Sequence, residues 1–94
     1  MTKKTRYASV WEALENTKEE AENMKLRSAL MLALKQHIKN AGITQAEAAE
    51  LFGVTQPRIS DLMRGKISVF GLESLVNMAA AAGMRIEMQI REAA

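Results

Sequence analysis

The chain has 94 residues, enough for one domain with a modest core, and 13 Lys and Arg against 11 Asp and Glu leave a net charge of only +2. It has no cysteine and a single histidine, His37, which excludes a disulfide frame, a thiolate metal site and a multi-histidine metal site. No apolar run approaches membrane-spanning length and no signal-peptide pattern opens the sequence, so the expected class is a soluble, cytoplasmic, mainly α-helical protein.

Charge is unevenly spread. Residues 1–10 carry Lys3, Lys4 and Arg6 and no acid, and Glu12, Glu15, Glu19, Glu20 and Glu22 then face Lys18 alone. Lys25, Arg27, Lys35, Lys39, Arg58, Arg64 and Lys66 outnumber Glu47, Glu50 and Asp61 in the next stretch. A basic centre of this kind is where a phosphate backbone would be met, and the acidic block suits a basic protein partner. For any one of these charges a solvated helix surface is the commoner reading.

Met1 to Ala8 has no periodicity and reads first as a loose terminus, second as a basic arm that reaches DNA. Ser9 and Glu12 form a capping box that opens a short helix through about Asn16, with Trp11 and Leu14 as its apolar residues. Trp11 has two readings, docking on its own core or anchoring a partner. Thr17 and Glu20 make a second capping box, and the helix they open runs to Ala41, where Gly42 stops it. Its apolar positions include Ala21, Met24, Leu30, Leu34, Ile38 and Ala41. It is one long helix or two with a kink near Lys25, though no proline or glycine forces a break there. His37 lies beside the apolar face and reads as a packing or surface residue.

Thr44 to Lys66 reads as two short helices joined by a tight turn. Thr44 and Glu47 form a third capping box, Ala48, Leu51 and Phe52 make an apolar stripe, and Gly53 ends the first helix. Thr55 is the next N-cap and Pro57 sits in the first turn, where a missing N–H does little harm. Ile59, Leu62 and Met63 give the second helix its buried face, and Gly65 stops it. Two helices joined in this way, with Gln56, Arg58 and Asp61 exposed near the start of the second, have the geometry that enters a DNA major groove.

Ile67 to Phe70 reads as a connector, and Leu72, Leu75, Val76 and Ala79 mark a last helix that ends at Gly83. Met84 to Arg91 then alternates apolar and polar residues, a period of two and hence a strand. No second strand is expected in the chain, so pairing with the same strand of a second copy across a two-fold axis is the economical solution. A frayed tail and pairing with another protein's sheet are the alternatives. The expected organisation is therefore an N-terminal arm and short helix (residues 1–22), a helix-turn-helix domain (23–83), and a C-terminal dimerisation strand and tail (84–94).

The Thr-Gln-x-Glu-x-Ala start at Thr44, the central Gly-Val-Thr-Gln and the terminal Arg-Gly-Lys resemble the helix-turn-helix of the phage-repressor/Cro-like superfamily, often called XRE. That resemblance implies a lambda-repressor-like helical bundle that binds a palindromic operator in double-stranded DNA as a homodimer. Carried over residue by residue, it assigns a phosphate contact to Gln45, base reading to Gln56, a guanine edge or phosphate to Arg58, and backbone contacts to Arg64 and Lys66. Thr44, Thr55, Pro57 and Asp61 complete the implied DNA-facing set. Pro57 departs from the pattern by offering shape and an apolar contact where relatives donate a hydrogen bond. Asp61 stands where some relatives carry a base-reading amide, and is expected to pair with Arg58 or Arg64 and orient them. Many relatives bury an Arg–Glu pair where Ile38 and Met63 stand here, and an apolar pair avoids the desolvation cost.

The runs Glu-Asn-Met-Lys-Leu-Arg, Thr-Gln-Pro-Arg-Ile-Ser-Asp-Leu-Met-Arg-Gly-Lys and Leu-Val-Asn-Met are similar to antitoxins of HigA type, whose partners are RelE/ParE-like RNase toxins. The resemblance implies an autorepressor and antitoxin; a repressor with no toxin partner is the alternative. Met84, Ile86, Met88 and Ile90 are the expected dimer residues. No nucleophile–base set, metal cluster or glycine-rich phosphate loop is present, so no enzyme activity and no cofactor are expected.

Overall fold

The computed structural model describes residues 17–93, and within them four helices and one 3-10 turn pack around a single core. The basic arm and the short helix expected around Trp11 and Leu14 lie outside the described residues. The helices are α1 (Lys18–Ala41), α2 (Gln45–Phe52), α3 (Gln56–Met63) and α4 (Leu72–Ala81), with the 3-10 turn at Ile67–Val69.

Helix α1 is one unbroken helix of 24 residues, as a segment without proline or glycine allows. The Thr17 hydroxyl caps it by accepting from the Glu20 N–H at 3.0 Å. Its buried residues, Met31, Leu34 and Ile38, recur at helical spacing in its C-terminal half. Ala21, Met24 and Ala41, expected to be apolar contacts, are exposed. Lys18, Glu22, Lys25 and Leu26 border the C-terminal tail instead of the core. Ile38 is buried and Met63 half-buried against the same core, so the expected apolar pair is in place.

The remaining core comes from Ala48, Ala49 and Phe52 of α2, Ile59 and Leu62 of α3, Phe70 of the connector, and Leu75, Met78 and Ala79 of α4. Two residues expected in the apolar stripes, Leu51 and Val76, are 36% and 40% exposed. Met31, Ala49, Met78 and Phe70 fill the core in addition to the expected residues. Phe70 is only 1% exposed although it lies in a segment without periodicity. Each large side chain buried in this way contributes about 1.5–3 kcal/mol. The His37 ring packs edge-on to Phe52, with centroids 6.2 Å apart, which makes it a packing residue.

Helix α4 closes the bundle against α1 and α2. At its end the N–H of Gly83 reaches the carbonyl of Ala80 and the N–H of Met84 that of Ala79, a Schellman turn with Gly83 at φ +79°. The turn presses Met84 onto the core and starts the tail. No strand is formed among the described residues, and 84–93 carry no regular element. The physical reason is the one the sequence raises: a strand is defined by its ladder, and the rest of the described chain is helical. Exposure rises along the alternating residues, from Ile86 at 40% through Met88 at 69% to Ile90 at 86%.

Candidate nucleic-acid interface

Helices α2 and α3 are set against each other by the turn between them. Gly53 adopts φ +69°, a left-handed conformation that any side chain would strain, and the N–H of Val54 closes the turn on the Ala49 carbonyl at 3.0 Å. Val54 is thereby laid against the core, and the chain leaves at the angle α3 needs. Both halves of the capping box at the start of α2 are formed: Thr44 accepts from the Glu47 N–H at 3.1 Å, and Glu47 accepts from the Thr44 N–H at 2.8 Å.

The start of α3 is built differently. Thr55 is the N-cap by backbone conformation, but its hydroxyl makes no cap hydrogen bond. Pro57 has no N–H to donate, and the N–H groups of Arg58 and Ile59 both reach the Thr55 carbonyl. The Thr55 hydroxyl is therefore left over at the surface. Thr44, Gln45, Thr55, Gln56 and Pro57 are all exposed. Ile59 and Leu62 hold the other face of α3 in the core.

At the far end of α3, Asp61 accepts from Arg64 at 2.9 Å and lies 3.7 Å from the Lys66 ammonium. Its expected pairing with Arg64 is present. The Lys66 contact is an addition, and Arg58 does not join it. Arg64 and Lys66 keep more than half of their side-chain surface in solvent, at 58% and 53%. Asp61 thus stands beside both cations while leaving them exposed.

Arg58 points elsewhere. One terminal nitrogen donates to the Val69 carbonyl at 3.0 Å, the other to the Ser74 hydroxyl at 3.2 Å, and the guanidinium lies 4.4 Å from the Phe70 ring centroid. A second arginine reaches the same connector from α1. Arg27 donates to the carbonyls of Ile67 at 3.1 Å and Phe70 at 3.4 Å, and to the Asn23 side chain. Both contacts were invisible in the sequence, since the acceptors are main-chain carbonyls 40 and 11 residues away in Ile67 and Val69. The site residues therefore divide. Thr44, Gln45, Thr55, Gln56, Pro57, Arg64 and Lys66 are exposed along the helix pair, Asp61 organises two of them, and Arg58 is turned inward.

Among the described residues no group of three or more His, Cys, Asp or Glu side chains stands close enough to hold a metal ion. No described helix is long and apolar enough to cross a membrane.

A family model described as "Helix-turn-helix domain" matches residues 13–91. Among solved structures, one named "Putative XRE Family Transcriptional Regulator" superposes with a TM-score of 0.72 at 32% sequence identity, over 79% of this chain and 83% of that one. A search of curated proteins found no match.

Proposed function

Because this chain belongs to the XRE-type helix-turn-helix family of transcriptional regulators, we propose that it works as a dimeric, sequence-specific repressor of its own promoter and as the antitoxin of a RelE/ParE-like RNase toxin. The observation that carries the DNA half is the arrangement of exposed polar groups on α2 and α3. Gln45 and Thr44 open one helix, Thr55, Gln56 and Pro57 open the next, and Arg64 and Lys66 stand at the far end of the second. In this reading α3 enters the major groove, and the Gln56 amide pairs with an adenine edge. Pro57 offers an apolar face to a thymine methyl. Gln45, Arg64 and Lys66 meet phosphates and set the register. Asp61 orients the last two.

The dimer reading is supported by the tail. Met84, Ile86, Met88 and Ile90 alternate with polar residues, and the last three of them are exposed. Ile86 and Met88 also border an apolar groove with Leu26, Leu30, Leu72 and Val76. A second copy paired antiparallel along 84–90 would satisfy the tail's backbone groups and cover both surfaces. Two recognition helices would then lie about one DNA turn apart, on the order of 34 Å, opposite a palindromic operator. The antitoxin reading rests on the sequence resemblance and on the acidic block at residues 12–22.

The test is a gel shift of the full chain with about 200 bp of its own upstream DNA over a range of salt, followed by co-expression with the product of the neighbouring gene. A band that resists nonspecific competitor, with a footprint in two half-sites, is expected. No specific band would overturn the repressor. A specific band with no stable complex from co-expression would leave a repressor without a toxin.

A further inference from the structure

We infer that Arg58 is a positioning residue for the recognition helix and does not read a base or clasp a phosphate. The inference rests on the DNA-binding reading above and refines which side chains of α3 do the reading. A base-reading arginine presents the planar fork of its guanidinium to the O6 and N7 atoms of a guanine. In Arg58 both terminal nitrogens already donate within the protein, to Val69 and Ser74, and the guanidinium carbon lies 4.4 Å from the Phe70 ring centroid. Turning it outward would break two hydrogen bonds and uncover a ring that is 1% exposed.

The bonds join three elements. Arg58 stands on the first turn of α3, Val69 and Phe70 belong to the connector, and Ser74 is on the first turn of α4. Arg27 holds the same connector from α1 through Ile67 and Phe70. The start of α3 is thus fixed to the frame through a strap that two arginines grip from either side. Phe70 is the buried anchor of that strap. The start of α3 needs such a tie because its own cap is weak, with Thr55 making no side-chain cap bond. Base reading then falls on Gln56, whose placement depends on Arg58.

The experiment compares Arg58→Ala, Arg58→Lys and Ser74→Ala in the full chain. It reads affinity for the upstream DNA against salt, preference at each operator base pair, and amide hydrogen exchange. A positioning role predicts that Arg58→Ala weakens specific binding by about 10-fold or more with an unchanged salt slope. Arg58→Lys keeps the charge but not the fork, and is expected to remain impaired. Ser74→Ala removes only an acceptor, and is expected to weaken binding by roughly 3-fold with the slope again unchanged. The hydrogen-bonded amides on either side of the tie, those of Arg58, Ile59, Phe70 and Leu75, should exchange faster in all three variants.

A salt slope that falls by about 0.9 in Arg58→Ala and returns in Arg58→Lys would make Arg58 a phosphate contact and overturn the inference. Loss of preference at one base pair alone, with exchange unchanged, would make it a base reader and overturn it equally. If Arg58→Ala does not fold, Arg58→Lys and Ser74→Ala decide, and wild-type binding by both would sink the idea. Absence of specific DNA binding in the wild-type chain would instead remove the repressor reading. The strap would then be judged by the exchange pattern alone, where unchanged protection in Arg58→Lys and Ser74→Ala overturns it.

Discussion

The helix pair 44–66 and the tail 84–93 are both strongly patterned in sequence, yet only the first becomes regular structure on its own. The pair is closed by chemistry that acts over three to five residues: a reciprocal capping box at Thr44 and Glu47, and a glycine turn at Gly53. Each of its helices also finds its apolar partner within the same chain. The tail has an equally clear alternation, but no described residue forms a ladder with it. Periodicity states what kind of neighbour a segment requires, and the fold shows whether one chain supplies it.

That contrast can be broken most forcefully in the core. Phe52→Ala empties a site that is 2% exposed and also removes the edge contact to His37, so a loss of about 3–5 kcal/mol is expected in urea denaturation. Gly53→Ala has room for its Cβ, whose nearest neighbour is 4.0 Å away, but forces φ +69° on alanine. A destabilisation of roughly 1–2 kcal/mol is expected from the backbone alone, read as a lower melting temperature with the same cooperativity. The two threonine caps sharpen the comparison further. Thr44→Ala should cost about 1 kcal/mol because it removes a formed capping box. Thr55→Ala should cost less than about 0.5 kcal/mol, since no cap bond is lost, while still weakening DNA affinity. Equal costs for the two would refute the distinction drawn between the helix starts.

The smallest effect on chain stability belongs to the tail. Ile90→Asp changes a side chain that is 86% exposed, and is expected to move the denaturation midpoint by no more than about 0.5 kcal/mol at a concentration where the protein is monomeric. The same change should abolish association in sedimentation velocity, because it buries a charge in the proposed two-fold pairing. An unaltered sedimentation profile would remove the tail from the interface.

Much of the fold was legible because its signals are local. Thr17, Gly42, Thr44, Gly53 and Gly65 mark helix ends that the structure reproduces. Ile59, Leu62, Leu75 and Ala79 are buried where helical spacing puts them. Phe70 escaped because a residue in an aperiodic connector gives no sign of which way it turns. Leu51 and Val76 misled because a stripe on a short helix does not say which edge the neighbouring helices cover. Within the candidate site, the exposed openings of α2 and α3 and the Asp61–Arg64 pair followed from spacing. The inward turn of Arg58 did not, because main-chain carbonyls are present at every residue and so leave no sequence signal. Trp11 and Leu14 lie outside the described residues.

The short links between successive helices have a consequence for how the chain reaches this state. Helices α2 and α3 are joined by three residues and pack directly on each other, so their contact closes a very small loop. The contact of α1 with α4 spans more than thirty residues and must wait for a larger closure. Folding is therefore expected within the microsecond-to-millisecond range typical of helical bundles, with the helix pair assembling early and α4 docking on α1 as the late event. Destabilising changes at Leu75 should then chiefly speed unfolding, while those at Phe52 slow folding.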